Sequence, residues 1–255
     1  AVNPLVTCGQ CDVCLSGRSN LCAKRQIISM PPRQGAFAER LAMPEGNLVA
    51  LPDGMDPLQA ALTEPLATSY HAAHLAARAF GRPLAGAKAL VIGAGSIGIG
   101  AALALRMQGC TEIMLGETNP LRRRTAERTE AANVYDPISE PGPAANSLDI
   151  VIDAVGMDAT RAVSFKAVRP GGVIVHIGLA GGSGGMDIRK ATLQEVTFIG
   201  TYTYSMTDFR ETLAAIHRGN FGTLDWFEER PLSEGAAAFQ DLAAGRSAAA
   251  KIILR

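Results

Sequence analysis

The sequence predicts an α/β fold in which a doubly wound parallel sheet is joined to a smaller, β-rich region. Three observations lead to this prediction. From about residue 65, apolar runs of strand length alternate with helical stretches, and one strand–helix junction carries a glycine-rich turn. Four of the five cysteines lie within residues 8–22. Proline, glycine and short apolar runs dominate residues 1–63, a texture typical of short strands and turns.

The order of elements follows from the apolar periodicity. Continuous apolar runs predict buried strands at 89–92, 113–115, 150–155, 173–177 and 196–200, with a last strand at 251–254. Helical periods are found at 97–107, 120–132, 158–168, 208–218 and 234–244, and a further helix begins near Pro65. In the first region, the runs 37–43 and 48–51 predict short strands. Segments 139–144 and 181–185 are predicted to be surface loops, and a mobile flap near a ligand is the alternative for 181–185.

Charge and length exclude several classes of function. The chain has 255 residues, with 24 Lys plus Arg and 24 Asp plus Glu, so no net charge recruits nucleic acid or an anionic membrane. No apolar stretch reaches the length of a membrane span. We therefore expect no nucleic-acid and no membrane partner. Because no apolar signal segment precedes the cysteines, we expect a reducing, cytoplasmic setting.

The four clustered cysteines predict a structural zinc site. Cys8, Cys11, Cys14 and Cys22 form the pattern C-x2-C-x2-C-x7-C. Short C-x2-C steps let thiolates converge, and four thiolates close a tetrahedral site with no position for water. An iron–sulfur cluster would favour a shorter last gap followed by proline, whereas Ala23 follows here. Disulfides would need an oxidising compartment. Zinc is therefore the favoured interpretation, with these two left as alternatives.

A glycine-rich turn in the middle of the chain predicts a dinucleotide site. Gly93, Gly95 and Gly98 form a G-x-G-x-x-G motif between the strand at 89–92 and the helix that follows. The first glycine permits the tight turn, the second admits a pyrophosphate, and the third lets the helix pack close to the strand. Ser96 and Ile97 begin that helix, where free N–H groups attract phosphate.

The next strand end indicates which dinucleotide is bound. Glu117 lies 24 positions after Gly93, where a carboxylate would accept hydrogen bonds from the ribose hydroxyls. A 2′-phosphate there would meet a like charge, at a cost of about 4 kcal/mol for a pair 4 Å apart. This favours NAD. Arg122, Arg123 and Arg124 could instead neutralise a 2′-phosphate, and Arg122 is expected to contact the adenosine ribose.

The motifs together resemble those of the zinc-dependent medium-chain alcohol dehydrogenases. Besides the cysteines and the glycine turn, the sequence carries Glu64-Pro65-Leu66-Ala67, Asp153-Ala154-Val155-Gly156 and Arg169-Pro170-Gly171-Gly172. The resemblance covers essentially the whole chain and is closest to the polyol branch, the sorbitol-, idonate- and threonine-dehydrogenase-like enzymes. It implies a Rossmann domain at 67–200 and a partial GroES-like catalytic domain formed by 1–66 and 201–255. It also implies NAD-dependent oxidation of a small secondary alcohol.

The same resemblance implies roles for individual residues. Cys8, Cys11, Cys14 and Cys22 would hold structural zinc, and Glu64 would lie beside a catalytic zinc as a ligand or through water. Lys251 would approach the pyrophosphate. The nicotinamide side would be lined by Gly156, Ile177, Leu179 and Thr201. A homodimer or homotetramer would form through the strand at 196–200.

The sequence also departs from the family pattern. In the family a cysteine and a His-Glu pair upstream of the lobe bind the catalytic zinc, and residues 1–255 contain no equivalent. Thr203 stands where the polyol branch often has an arginine. We therefore expect this chain to lack a leading segment, to bind structural zinc and nucleotide, and to turn over poorly by itself. The alternatives are a non-catalytic NAD-binding or assembly module and a zinc-independent reductase of the same superfamily.

Overall fold

The computed structural model describes residues 1–255. Its first region is built mainly from turns. Two short strands, β1 (Leu5–Val6) and β2 (Gln26–Ile27), pair antiparallel, and the single-turn helix α1 (Asp12–Leu15) lies between them. A second short helix, α2 (Pro57–Ala60), is capped by the side chain of Asp56, which accepts from the Leu58 N–H. The long helix α3 (Thr63–Phe80) then leads into the rest of the chain.

A parallel sheet organises the remainder, as the sequence predicted, and it has six strands. Its order is β5-β4-β3-β6-β7-β8. Because the order reverses at β3, the carboxyl ends of β3 and β6 flank a crevice of the kind that binds ligands in doubly wound folds. The strands are β3 (Lys88–Ile92), β4 (Glu112–Gly116), β5 (Asn133–Tyr135), β6 (Leu148–Asp153), β7 (Val168–His176) and β8 (Thr197–Gly200).

Helices cover both faces of this sheet. They are α4 (Ser96–Met107), α5 (Pro120–Arg128), α6 (Asp158–Ala167) and α7 (Ile188–Leu193). The chain ends with α8 (Met206–His217), β9 (Phe227–Arg230), α9 (Gly235–Ala243) and β10 (Lys251–Leu254), in which β9 and β10 pair in parallel. None of the helices combines the length and the apolar character needed to cross a membrane.

The core shows why the strands are apolar along their whole length. Ala89 and Val91 belong to a cluster of 32 buried residues on one face of the sheet, whereas Leu90 and Ile92 belong to a cluster of ten on the other. Successive strand residues point to opposite faces, so a strand covered on both faces needs apolar side chains throughout. On the larger side, α3 and α4 approach closely at Gly100, where a Cβ would lie 2.6 Å from Ser69 Oγ.

Some predicted elements were wrong or absent. Segments 37–43 and 48–51 form no strand, and the only pairing there is a bridge between Val2 and Leu48. A strand needs a hydrogen-bonded neighbour, and the side chains of Phe37 and Leu48 are exposed. Helix α5 ends at Arg128 instead of residue 132, because Glu130 adopts a left-handed φ of 52°. The sequence also missed β5, α7 and β9, which are short and rich in polar residues.

Candidate functional site

The four clustered cysteines meet in space. Their sulfurs lie within 4.8 Å of one another, and four of the six pairs are separated by 3.4–3.9 Å. A tetrahedron with Zn–S bonds of about 2.3 Å has sulfur–sulfur edges of about 3.8 Å. A disulfide would need about 2.05 Å, and all five cysteines are free thiols. The geometry therefore fits a closed four-thiolate metal site and leaves disulfides out.

Backbone N–H groups favour the thiolate form of Cys8, whereas the neighbouring thiols, Cys14 first among them, help to raise the pKa of Cys11 to about 11. The N–H groups of Gln10 and Cys11 donate to the Cys8 sulfur and lower the pKa of that thiol to about 6. A metal ligand must be deprotonated, so this turn prepares one ligand for binding near neutral pH. Helix α1 begins directly after Cys11 and carries Cys14, which brings the second and third sulfurs together within one turn.

The cysteine lobe is attached to the segment 201–204. The Asn20 side chain is buried, and its Nδ2 donates to the Tyr202 carbonyl at 2.7 Å. The Arg25 guanidinium lies 4.8 Å from the centre of the Tyr202 ring. Thr203 follows with a φ of 46°, a left-handed conformation that is strained for a β-branched residue. This turn directs the next side chain, that of Tyr204, towards α3.

Tyr204 contacts the carboxylate that the sequence singled out. Glu64 lies in the first turn of α3, and its Oε1 accepts from the Tyr204 hydroxyl at 3.1 Å. Burial, followed by the Glu64 charge, raises the pKa of Tyr204 well above its usual range, so the hydroxyl stays a donor. The carboxylate borders a cavity of about 370 Å³ whose other lining residues, Phe209 among them, are mostly apolar. Sequence reasoning missed Tyr204, because 140 residues separate the pair.

The residues described here do not build a catalytic zinc site. Such a site usually has three protein ligands, and Glu64 supplies one. The only group of three or more potential ligands in the structure is the cysteine cluster. His71 is hydrogen-bonded to Asp208 at 2.9 Å, and His74 packs against the ring of Tyr70, so neither histidine is aimed at Glu64. Residues 1–255 therefore do not by themselves hold a catalytic metal.

The glycine turn has the geometry that its motif requires. Gly93 has a φ of 94°, and a Cβ on Gly98 would lie 1.7 Å from the Gly93 carbonyl oxygen. A Cβ on Gly95 would meet nothing within 4 Å, so this side of the turn is open to a ligand. Helix α4 begins at Ser96 without a side-chain cap, which leaves the first N–H groups, including that of Ile97, available to an anion.

Glu117 already has a structural role in the crevice. It is buried, its Oε2 accepts from the Ala94 N–H at 2.8 Å, and its Oε1 accepts from the Asn119 N–H at 2.7 Å. The carboxylate therefore holds the glycine turn against the end of β4. Oε1 also receives the Thr118 hydroxyl at 3.4 Å, whereas Oε2 has the Ala94 N–H as its one donor and keeps a second acceptor direction for a ribose hydroxyl. The sequence predicted the position of Glu117 but not this second role.

The three arginines after Glu117 are not equally free. Arg123 donates to the carbonyls of Glu117 and Thr118 and forms an ion pair with Asp136 at 3.2 Å. Arg122 is half-buried and reaches the Leu242 carbonyl at 3.5 Å, while Arg124 is exposed. One of the three charges is thus committed to the fold, which weakens the case for a 2′-phosphate site.

The opposite side of the crevice is formed by the ends of β6 and β7. Asp153 is fully buried, and its Oδ1 accepts from the N–H groups of Val155 and Gly156 at 3.0 and 2.9 Å. Val155 packs against the glycine turn: a Cβ added to Gly93 would lie 2.7 Å from Val155 Cγ2. A Cβ on Gly156 would lie 2.0 Å from the Gly178 carbonyl oxygen. Residues 153–156 therefore form the turn through which the end of β6 contacts the glycine turn after β3.

All four residues that the resemblance puts on the nicotinamide side lie at this edge of the sheet. Ile177 donates its N–H to the Asp153 carbonyl, Leu179 is largely exposed, and Thr201 donates its N–H to the His176 carbonyl. All three follow the carboxyl ends of β7 or β8, on the same edge as Gly156. Lys251 lies elsewhere, at the start of β10. The loop before it is bonded to α5, through Asn119 to Gly245 and Thr125 to Ala248.

Comparison with known proteins agrees with this geometry. Residues 96–218 match the family model described as zinc-binding dehydrogenase, and residues 1–53 match the alcohol dehydrogenase GroES-like domain. L-galactonate-5-dehydrogenase of Escherichia coli (strain K12) is 32% identical over 264 residues, which cover 94% of this chain and 75% of that protein.

Solved structures show the same fold. L-idonate 5-dehydrogenase from Escherichia coli superposes with a TM-score of 0.88 at 23% identity, over 100% of this chain and 74% of that one. A zinc-binding dehydrogenase from Sinorhizobium meliloti 1021, bound to NADP, has a TM-score of 0.82 at 26% identity, over 93% and 71% of the two chains. With its sheet order, glycine turn and cysteine cluster, the chain belongs to the zinc-binding medium-chain alcohol dehydrogenases, a family of NAD(P)-linked oxidoreductases, and within it to the polyol dehydrogenases.

Proposed function

We propose that this protein takes part in the NAD-linked oxidation of a small secondary alcohol of the polyol or sugar-acid type. The observation that carries the proposal is the crevice between β3 and β6, where an open Gly95 and an uncapped α4 face the buried carboxylate of Glu117. The name of the relative L-galactonate-5-dehydrogenase supports the substrate class.

The cofactor would bind along this crevice. The pyrophosphate would lie at the N-terminus of α4, where Gly95 leaves room and the N–H groups are available. Glu117 would accept from the ribose hydroxyls, with Arg122 beside them and Lys251 near the phosphates. Gly156, Ile177, Leu179 and Thr201 would line the nicotinamide side. These residues would hold the nicotinamide so that the bound cofactor would supply the hydride acceptor for oxidation of the alcohol.

We propose NAD as the preferred coenzyme, although one solved relative holds NADP. A buried carboxylate at Glu117 would repel a 2′-phosphate. Isothermal titration of the purified chain tests this: we expect NAD⁺ to bind at least tenfold more tightly than NADP⁺. Glu117→Gln should lower this NAD⁺ preference, whereas Glu112→Gln, at the exposed start of β4 and at the opposite end of the strand from Glu117, should leave it unchanged. No heat with either coenzyme would overturn the proposal.

The metal content gives a second test. We propose that the four cysteines hold one structural zinc and that Glu64 contributes to a catalytic site whose other ligands are not among residues 1–255. The expected zinc content of this chain is therefore one per molecule, with little NADH formed from a panel of polyols. Two tightly bound zinc ions, or rapid NADH formation by this chain, would contradict this.

A second candidate is a nucleotide-binding module without turnover. It is favoured because Glu64 is the one potential metal ligand that lines the cavity beside Tyr204, whereas a catalytic zinc usually has three protein ligands. The two candidates predict different zinc contents and different activities for the protein purified from its native source. Two zinc ions per chain and polyol-dependent NADH formation support the dehydrogenase, whereas one zinc and NAD binding without turnover support the module.

We also propose a homodimer or homotetramer formed through β8, in a reducing, cytoplasmic setting. β8 is the edge of the six-stranded sheet, and the apolar side chains of Phe198 and Ile199 are only partly covered there. Exposed Ile188 and Leu193 on α7 precede the same edge. Analytical ultracentrifugation should detect the oligomer at micromolar concentration, and a monomer at every concentration would contradict the assignment.

A further inference from the structure

The loop that follows β7 forms one wall of the crevice. This segment, residues 177–186, is called the 177–186 loop below. Its Ala180 and Gly181 N–H groups donate to the carbonyls of Val155 and Gly156, at 3.1 and 3.2 Å. The loop therefore lies backbone to backbone on the 155–156 turn, which itself contacts the glycine turn at Gly93.

One buried side chain holds both sides of this contact. Arg161, on α6, is only 5% exposed. Its Nε donates to the Gly184 carbonyl at 2.6 Å, and its Nη2 reaches the Gly181 carbonyl at 3.4 Å, both on the loop. Its Nη1 donates to the Gly156 carbonyl at 3.1 Å, on the turn. A single guanidinium thus sets the distance between the loop and the turn.

All five N–H groups of Arg161 have partners. Besides the three carbonyls, Nη2 forms an ion pair with Asp158, and Nη1 lies 3.3 Å from the Nε2 of His176. A guanidinium offers five donors in a rigid plane, whereas an ammonium group offers three on a flexible stem. Lysine at this position could keep the charge but not the full set of contacts.

The glycines of the loop are required by the same arrangement. Asp158 accepts from the Gly184 N–H at 2.9 Å. A Cβ on Gly182, whose φ is 77°, would lie 2.1 Å from Asp158 Oδ1, and one on Gly185 would lie 2.0 Å from the Asp158 carbonyl oxygen. The loop can approach α6 this closely only because these positions lack side chains.

We propose that Arg161 is a positioning residue, which fixes the 177–186 loop against the 155–156 turn and thereby shapes the part of the crevice that receives the nicotinamide half of the cofactor. This inference rests on the proposed nucleotide-binding function. Arg161 itself would not touch the cofactor, since it is buried beneath the loop. Its influence should be confined to the nicotinamide half, because the adenosine half lies on the far side of the glycine turn, near Glu117.

The test compares a whole cofactor with half of one. In the full chain, Arg161→Lys should weaken NADH binding about tenfold, measured by nicotinamide fluorescence, and change ADP-ribose binding less than about twofold, measured by calorimetry. Amide exchange in residues 177–186 should rise. Arg189→Ala, an exposed arginine on α7, is the matched control and should change none of these.

Two glycine variants, Gly182→Ala and its control Gly171→Ala, test the same inference if Arg161→Lys does not fold. Gly182→Ala should weaken NADH binding as selectively as the arginine change, because its Cβ displaces the loop from Asp158. Gly171→Ala, which has a similar φ of 67° but open space around it, should not. An equal loss of NADH and ADP-ribose affinity, or unchanged NADH affinity in both variants, would overturn the inference. If the unmodified chain bound neither ligand, the proposed function itself would fail, and this inference with it.

Discussion

The cysteine-bearing region and the six-stranded sheet are held together by different physical means. Only five of residues 1–53 are buried, and three of them are asparagines: Asn3, Leu5, Asn20, Cys22 and Asn47. None of the three apolar clusters has a buried member in this region. The sheet, in contrast, lies between clusters of 32 and ten buried residues.

This difference indicates what each region depends on. Apolar burial gives about 25 cal/mol per Å² and stabilises the sheet without a ligand. The first region buries too little apolar surface for that, so we expect metal binding by the four cysteines to supply most of its order. Its asparagines satisfy buried backbone groups, as when Asn47 donates to the carbonyls of Asn3 and Leu5 at 2.9 Å. Perturbing the two regions should therefore have different consequences.

The largest effect is expected from removing the metal site. Cys14→Ser removes one of the four thiolate ligands and should abolish tight zinc binding. The consequence for folding should be large, because structural zinc contributes an apparent free energy of about 10–16 kcal/mol in small peptides. Hydrogen exchange should become fast across residues 1–53 and stay slow across β3–β8. Cys110→Ala, which changes a buried thiol outside the cluster, should retain the zinc. Retention of one zinc by Cys14→Ser, or unfolding of the sheet, would contradict the comparison.

The next largest effect is expected in the glycine turn, where one alanine substitution should reduce stability and another should reduce NAD binding. Gly98→Ala places a Cβ 1.7 Å from the Gly93 carbonyl oxygen and should cost about 1–3 kcal/mol of unfolding free energy, or several degrees of Tm. Gly95→Ala meets nothing within 4 Å and should leave Tm within about 1 °C while abolishing NAD binding. Calorimetry measures both quantities. Equal losses of stability in the two variants would contradict the observed geometry.

The contact between Glu64 and Tyr204 should show a smaller effect. Tyr204→Phe keeps the ring packed on Phe209 but removes the hydroxyl, and should lower the free energy of unfolding by about 1.5–3 kcal/mol, as for hydrogen bonds to charged groups. Tyr70→Phe is the control, because its hydroxyl donates to the exposed Glu211 at 3.0 Å. Urea unfolding should show the larger loss for Tyr204→Phe. A larger loss of unfolding free energy for Tyr70→Phe than for Tyr204→Phe would contradict a stabilising contact between Tyr204 and Glu64.

The smallest effect concerns the hydrogen bond between His71 on α3 and Asp208 on α8. Burial raises the pKa of Asp208, but hydrogen bonds from His71 and Ser205 outweigh it, so the pKa lies below its usual value. A carboxyl whose pKa is lowered on folding stabilises the protein above its unfolded pKa of about 3.9, and this contribution is lost as pH falls through the folded pKa.

Asp208→Asn should therefore cost about 1 kcal/mol near pH 7, and the difference from the unmodified protein should shrink as pH falls below about 4. Urea unfolding as a function of pH measures it. Asp187→Asn removes an acidic cap at the exposed start of α7, where no histidine is bonded, and is the control. A difference that does not change with pH would contradict the assigned role of the carboxylate.

Local patterns predicted much of the molecule. The cysteine spacing is read within 15 residues, and the glycine turn within six, because one helical turn or one tight turn brings each set of atoms together. Five of the six strands of the sheet were predicted, because burial on both faces leaves a continuous apolar run, whereas the short β5 was missed. The prediction was wrong at 37–43, where an apolar run has no partner strand.

What the sequence by itself determined is the chemistry available: a four-thiolate cluster, a glycine turn with an acidic residue one strand later, and one carboxylate at the start of a long helix. Only the tertiary structure decided that Glu117 holds the Ala94 N–H, that Tyr204 meets Glu64, and that Arg161 holds the 177–186 loop. The physical reason is distance along the chain. Hydrogen bonds across 20 to 140 residues depend on how the parallel strands align their carboxyl ends, and no local period encodes that alignment.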